Sequence, residues 1–293
     1  MQKTALVTFG MLGKFWICSC LLFALPFAAC KQDSGPTLME MNDPNYLLAR
    51  SGPWVTDSTH HFDFYFYEGI DSSFAESIKT AQEANYSRIT KFMGLENADG
   101  LPHVKFWLFR DKNEKIRKTK VSSDAHALPP YTSVYHLPEN ALGGQEIGHI
   151  LTASQWGFIK NSNGLSLLVD EGFNFYIDEE TFWVPAGSAP FDSVAVIALS
   201  NAEYCQRHTV THLAHEGEDA SWDTSQAKVA GAFVRFLIDQ YGTKRFGDLW
   251  RGAKGKKETD LSVFEPVYGK PLDQLGKEFY EHLGLNGDPC KSM

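Results

Sequence analysis

The sequence predicts an α+β fold on three observations. A run of alternating aromatics near residue 60 reads as a strand, the segment after it has apolar residues at helical spacing, and helical periodicity dominates the second half. From His60 onward Phe62, Phe64 and Phe66 fall on one face, and Asp63, Tyr65 and Tyr67 on the other. Ser72 then opens a helix in which Phe74, Ile78, Ala81, Ile89 and Phe92 recur on one side, and Gly94 stops it. A second strand is expected over residues 103–109, with Val104, Phe106 and Leu108 inward. A third, over 133–137 before Pro138, is expected to form the sheet edge.

Helices follow over residues 140–156, halted by Gly157, and over 166–178 and 225–241. Gly242 is expected to close the last of these in a left-handed turn. The chain ends in a helix whose Leu272, Leu275, Phe279 and Leu283 make one stripe, closed by Gly284. The 293 residues leave room for one sizeable domain or two lobes sharing a core. The division expected is a leader over residues 1–29, a tether over 30–53 rich in Asp, Ser, Gly, Pro and Asn, an α/β lobe over 54–138 and a helical lobe over 139–286.

The formal net charge of −9 and the lack of a long basic run argue against a nucleic-acid partner. The first thirty residues read as an address. Lys3 and Lys14 precede a short apolar run, and Phe27-Ala28-Ala29-Cys30 resembles a bacterial lipobox, with Phe27 where Leu is usual. The resemblance implies lipidation of Cys30 and a membrane-anchored protein of the bacterial cell envelope. Lys31-Gln32-Asp33 lacks an Asp directly after the cysteine, which favours the outer membrane. An ordinary signal peptide cut near Ala29 is the alternative. Cys205 and Cys290 are then the cysteines left, and an oxidising compartment permits them to pair.

Gln145-Glu146-Ile147-Gly148-His149 is one residue from H-E-x-x-H. That motif places two imidazoles one helical turn apart to share a zinc ion, with the Glu beside the metal-bound water as general base. Further on stands Val169-Asp170-Glu171-Gly172-Phe173-Asn174-Phe175-Tyr176, then Ala230-Gly231-Ala232-Phe233-Val234-Arg235-Phe236 and Lys244-Arg245-Phe246. In this order and spacing the chain resembles the gluzincin zinc metallopeptidases, in particular the "peptidase MA-like" group, over roughly residues 60–285. The resemblance implies a zincin-like fold, a metal shell of Gln145, His149 and Glu171, Glu146 as general base, and a peptide or protein paired along the edge strand. Two departures weaken the enzyme. Gln145 replaces an imidazole, and no tyrosine lies between Cys205 and Gln240, where relatives often carry one for the oxyanion.

Three histidines, His208, His212 and His215, have the spacing of one helical face; an exposed polar segment explains them without a metal. His136 is placed to line a cleft. Three functions are therefore open: a peptidase scaffold with weakened zinc binding and impaired catalysis that retains peptide binding, an active peptidase with Gln145 as an oxygen ligand to zinc or manganese, and an unrelated structural or ligand-binding lipoprotein.

Overall fold

The structure is a computed structural model. It describes residues 37–50, 52–96, 98–157, 159, 165–215, 223–254, 260–286 and 289–290. The leader, Cys30 and the first part of the expected tether lie outside the described residues.

The domain opens where the tether was expected to continue. Helices α1 (Leu38–Met41) and α2 (Pro44–Arg50) occupy that stretch. The residues that suggested a loop are their caps: Thr37 and Glu40 form a reciprocal capping box, Pro44 begins α2, and the Asp43 carboxylate accepts from the Asn45 and Tyr46 amides. Leu47 is buried, and the Asn42 carbonyl accepts a hydrogen bond from the Tyr135 hydroxyl at 2.6 Å. These helices belong to the fold.

Strands β1 (Trp54–Ser58) and β2 (Phe62–Tyr67) form an antiparallel pair. Helix α3 (Ser72–Phe92), capped by Asp71, leads to β3 (Val104–Leu108), which is parallel to β2. Helix α4 (Lys112–Thr119) precedes β4 (His126–Leu128) and β5 (Ser133–His136). The sheet order is β1-β2-β3-β5-β4, with β5 parallel to β3 and β4 antiparallel to β5. The segment expected at the edge, residues 133–137, is thus an interior strand, and β4 takes the edge. Three residues of His-Ala-Leu carry too little alternation to read as a strand; pairing with β5 creates it.

Both sheet faces are covered. Phe62, Phe64, Phe66, Val104, Phe106, Leu108 and Val134 pack into the main core with α3 and the later helices. Trp54, Tyr65, Trp107 and Tyr135 meet Leu47, Phe109 and Leu137 on the other side, where Tyr65 stacks on Trp107 at 4.0 Å. The mixture of helices and one mixed sheet is α+β.

A tight turn at Pro138–Asn140 and the Gly143-Gly144 pair delay the next helix, so α5 spans Gln145–Gln155 instead of starting near residue 140. Gly157, at φ +96°, follows its end. Residues 166–171 form a wide π-type turn that runs into α6 (Gly172–Asp178), and a second wide turn covers Glu179–Trp183. After α7 (Phe191–Leu199) come α8 (Cys205–His208) and α9 (Val210–His215). Thr209, with ψ 145°, extends the chain between the last two, so His208, His212 and His215 do not share one helix. His208 is moreover buried, with its ring nitrogens bonded to the Tyr204 carbonyl and the Ser225 hydroxyl; only sequence polarity suggested exposure.

Helix α10 (Thr224–Tyr241) begins with a capping box between Asp223 and Gln226 and buries Val229, Phe233, Phe236 and Leu237. Gly242 has the expected positive φ, but its ψ of 153° makes an extended, glycine-only bend into α11 (Thr243–Ala253), not a left-handed helical turn. Helices α12 (Glu265–Tyr268) and α13 (Leu272–His282) complete the domain. A disulfide between Cys205 and Cys290 ties α8 to the C-terminal segment, with 5.7 Å between the Cα atoms.

Glycines set how closely the central helices approach. A Cβ on Gly148 of α5 would stand 2.0 Å from Asn174 Oδ1 and 2.6 Å from Ile177 Cδ1, both on α6; one on Gly172 would meet the Ala230 carbonyl oxygen of α10 at 2.9 Å. Gly148→Ala is therefore expected to lower unfolding stability by about 1–3 kcal/mol, the usual cost of overpacking. Denaturant titration measures it, and an unchanged midpoint would contradict this packing.

Candidate functional site

A cavity of about 290 Å³ lies between β4, the start of α5 and the 166–171 turn. Its polar lining includes Gln145, Glu146, His149, Asp170 and Glu171, and its strand side is Ser123, Ala125, His126 and Ala127. All four residues expected around the metal are thus brought to one pocket. Gln145 and Glu146 are the first two residues of α5, and His149 follows one turn later.

The helix N-terminus is held by a carboxylate from another element. Asp178, at the end of α6, accepts from the Gly144 and Gln145 amides at 2.8 Å each, and Arg88 of α3 binds the same carboxylate at 3.2 Å. This takes the place of a local cap, which Gly144 cannot supply. Sequence reading gave Asp178 no role, because its partner lies 33 positions away.

His149 sits between two acids. Its Nδ1 is 2.8 Å from Asp170 Oδ1, and its Nε2 is 3.7 Å from Glu171 Oε2. The wide turn over 166–171 allows two consecutive carboxylates to face one ring; turns of this kind are frequent at functional sites. Asn174 Nδ2 donates to Asp170 Oδ1 at 2.8 Å and fixes that acid in turn. Asp170 stood in the sequence next to Glu171 without an assigned role. The signal available was that a histidine holding a metal commonly gives its other nitrogen to a carboxylate.

Gln145 completes the group differently from an imidazole. Its Nε2 donates to Glu171 Oε2 at 3.2 Å. Zinc at about 2.0–2.1 Å from nitrogen and oxygen donors puts neighbouring tetrahedral donors about 3.3 Å apart. His149 Nε2 and Glu171 Oε2, at 3.7 Å, match that spacing to within a small adjustment. The third position does not match, because an amide N–H already points at the carboxylate a metal would use. Among the described residues no three His, Cys, Asp or Glu side chains gather as a metal-ligand group.

The electrostatics follow from burial. His149 is held well above its ordinary value: burial opposes the charged ring, but Asp170 and Glu171 outweigh it. Burial pushes Asp170 up, against the pull of His149. Glu171 is lowered, because the His149 ring and the Gln145 amide overcome its desolvation. Glu146 is pushed from 4.5 up to about 7, chiefly by burial, with His149 and Lys115 opposing and Glu171 and Asp178 adding. It makes no hydrogen bond or ion pair among the described residues although only 8% exposed. Lys115 is itself buried behind the 120–126 loop, donates to the Ser123 carbonyl at 2.7 Å, and is lowered to about 8 by desolvation.

Two further expectations are corrected by the geometry. His136 does not line the cavity; it is buried at the sheet, stacked on Phe106 at 4.7 Å with Nδ1 against the Asn140 carbonyl, because β5 is interior. His126 of β4, given no role from sequence, lines it instead. No tyrosine is among the lining residues.

Glu146, Asp178 and His149 give the pH dependence of stability one sign, and the lowered Glu171 acts oppositely, contributing stability that is lost as pH falls. The unfolded chain loses the Glu146 proton near 4.5 and the folded chain keeps it to about 7, so folding stability falls as pH rises through that interval. Asp178, pushed by burial from 3.8 up to about 6, acts the same way at lower pH, and the raised His149 extends the fall above 6.5. Glu146→Gln removes the ionisable group at nearly constant shape. Relative to the parent, the variant is expected to gain about 3 kcal/mol between pH 4.5 and pH 8. Denaturant unfolding at both pH values tests this, and a pH-independent difference would show that Glu146 is not desolvated.

No family model matches this chain and no curated protein matches it.

Proposed function

We propose that this chain is a lipid-anchored protein of the bacterial cell envelope on a gluzincin-type, zincin-like scaffold, with a metal site degenerate at Gln145, and that its cleft binds a peptide or protein segment with hydrolysis lost or much reduced. The observation that carries this reading is the Gln145 amide donating to Glu171 in the place where a third metal ligand would stand. Support also comes from the pairing of His149 with Asp170 through Nδ1, the arrangement typical of a metal-binding histidine. The short edge strand β4 beside the cavity gives an extended polypeptide a backbone to pair with. This role passes to β4 from the segment 133–137, which lies inside the sheet.

The metal is the testable part. A first-coordination change from imidazole to a neutral amide should weaken zinc binding at least as much as losing an outer partner does, about 10- to 100-fold. The purified chain is expected to retain far less than one equivalent of zinc after dialysis. Gln145→His should retain close to one equivalent, and adding Glu171→Ala should remove it again. Elemental analysis of the three proteins decides the matter, and near-stoichiometric zinc in the unmodified chain would overturn the proposal.

A second reading, hydrolysis with the Gln145 oxygen as third donor, is favoured by one observation. Glu146, with a pKa of about 7, is suited to general-base work near neutral pH. It requires cleavage of an unstructured protein that both a chelator and Glu146→Gln abolish. Activity that survives Glu146→Gln would exclude it.

A further inference from the structure

Glu146 is the one carboxylate of the pocket with nothing to bind. Asp170 is committed to His149 and Asn174, and Glu171 to Gln145 and His149. Glu146 is 8% exposed, lines the cavity, and has no hydrogen-bond or ion-pair partner among the described residues. Lys115 does not fill the gap, since its ammonium is bonded to the Ser123 carbonyl. The Glu146 oxygens are not sealed away from the cavity, so a cation entering there can pair with them.

We propose that this pocket binds a primary ammonium group, carried by the polypeptide that occupies the cleft, with Glu146, Glu171 and the Gln145 side-chain oxygen as its acceptors. The proposal rests on the reading of the cleft as a polypeptide site free of bound zinc. Gln145 Nε2 is used by Glu171, whereas its Oε1 accepts no hydrogen bond among the described residues. Three acceptors from three side chains match the three donors of an ammonium. The rest of the lining suits the stem that carries such a group. Ala153, Ile159 and Trp250 are apolar, and a lysine lays its methylenes along apolar surface while its charged head reaches polar groups. At about 290 Å³ the cavity is near the lower bound for ligand pockets, about 300 Å³, a size for one side chain or chain terminus.

The test uses the full-length chain in detergent; its zinc content is measured first, and a chelator is added only afterwards for the binding titrations. The probe is a fluorescent, unstructured Gly/Ser/Ala peptide with a blocked N-terminus and one lysine, followed by anisotropy. Its partners are the same peptide with acetyl-lysine and a lysine-free peptide with a free N-terminus. Acetylation is expected to weaken binding by about tenfold or more, as loss of a desolvated charge pair does. Glu146→Gln and Glu171→Gln should each weaken the lysine peptide to a similar degree and leave the acetyl-lysine peptide unchanged. Tighter binding of the free-terminus peptide than of the lysine peptide would assign the ammonium to a chain end. A zinc-free chain that binds the lysine and acetyl-lysine peptides equally, or neither of them, overturns this proposal alone. A chain that carries stoichiometric zinc overturns the metal-free reading beneath it.

Discussion

The close crossing of α5 and α6 is the constraint on which the rest of the site depends. Gly148 removes the Cβ that would collide with Asn174 and Ile177, and the approach this permits brings His149 within reach of Asp170. Asp178 secures the same crossing at its other end by accepting the first amides of α5, with Arg88 carrying the restraint on to α3. The polar groups of the pocket are therefore held by backbone placement and by each other. Burial makes such an arrangement expensive, and the raised pKa values of Glu146 and Asp178 are that cost in measurable form. Natural folds keep unfavourable ionisable groups mainly where function requires them.

The sheet serves the site by presenting an edge. Its three central strands are parallel and buried on both faces, so they have no free backbone to offer a ligand. Antiparallel strands terminate it on each side, and the one beside the cavity, β4, is only three residues long. A short edge limits adventitious strand pairing. The buried Lys115 holds the loop leading into β4 through the Ser123 carbonyl, which links the position of this edge to the interior.

Much of the fold was legible because its periodicities are strong. The alternation of Phe62, Phe64 and Phe66 and the stripe of Leu272, Leu275 and Phe279 report burial directly, and each is buried in the structure. Three of the corrected expectations share a cause. Residues 38–50 looked like a tether because Asp, Asn and Pro serve both loops and helix caps, and only the anchoring of Leu47 and Asn42 to the sheet tells them apart. Strand β4 has no pattern of its own, and it exists through its pairing with β5. The histidines at 208, 212 and 215 keep helical spacing in number, but the extended Thr209 breaks it in space. In each case a contact distant in sequence overrode a local signal. That Gln145, Glu146 and His149 meet was legible, because their spacing lies within about one turn of α5; Glu171, on a separate element, joins them in one cavity through tertiary packing. Asp170 and Asp178 emerge only from tertiary contacts.

The Gln145 amide gives Glu171 a partner that needs no metal. In a pocket without a metal, Glu171 would be a carboxylate facing only the Nε2 of His149 at 3.7 Å, a distance too long for a good hydrogen bond. An amide at position 145 gives it a donor at 3.2 Å from the first residue of α5, whose own amide is already fixed by Asp178. A neutral histidine there could donate only its single ring N–H, and only in the tautomer and orientation that aim it at the carboxylate. The amide donates at any pH, and its oxygen accepts no hydrogen bond among the described residues. The same contact thus gives Glu171 a partner with no metal bound. Glu146, next to Gln145 in the chain, has no such partner for its carboxylate among the described residues and lines the same cavity.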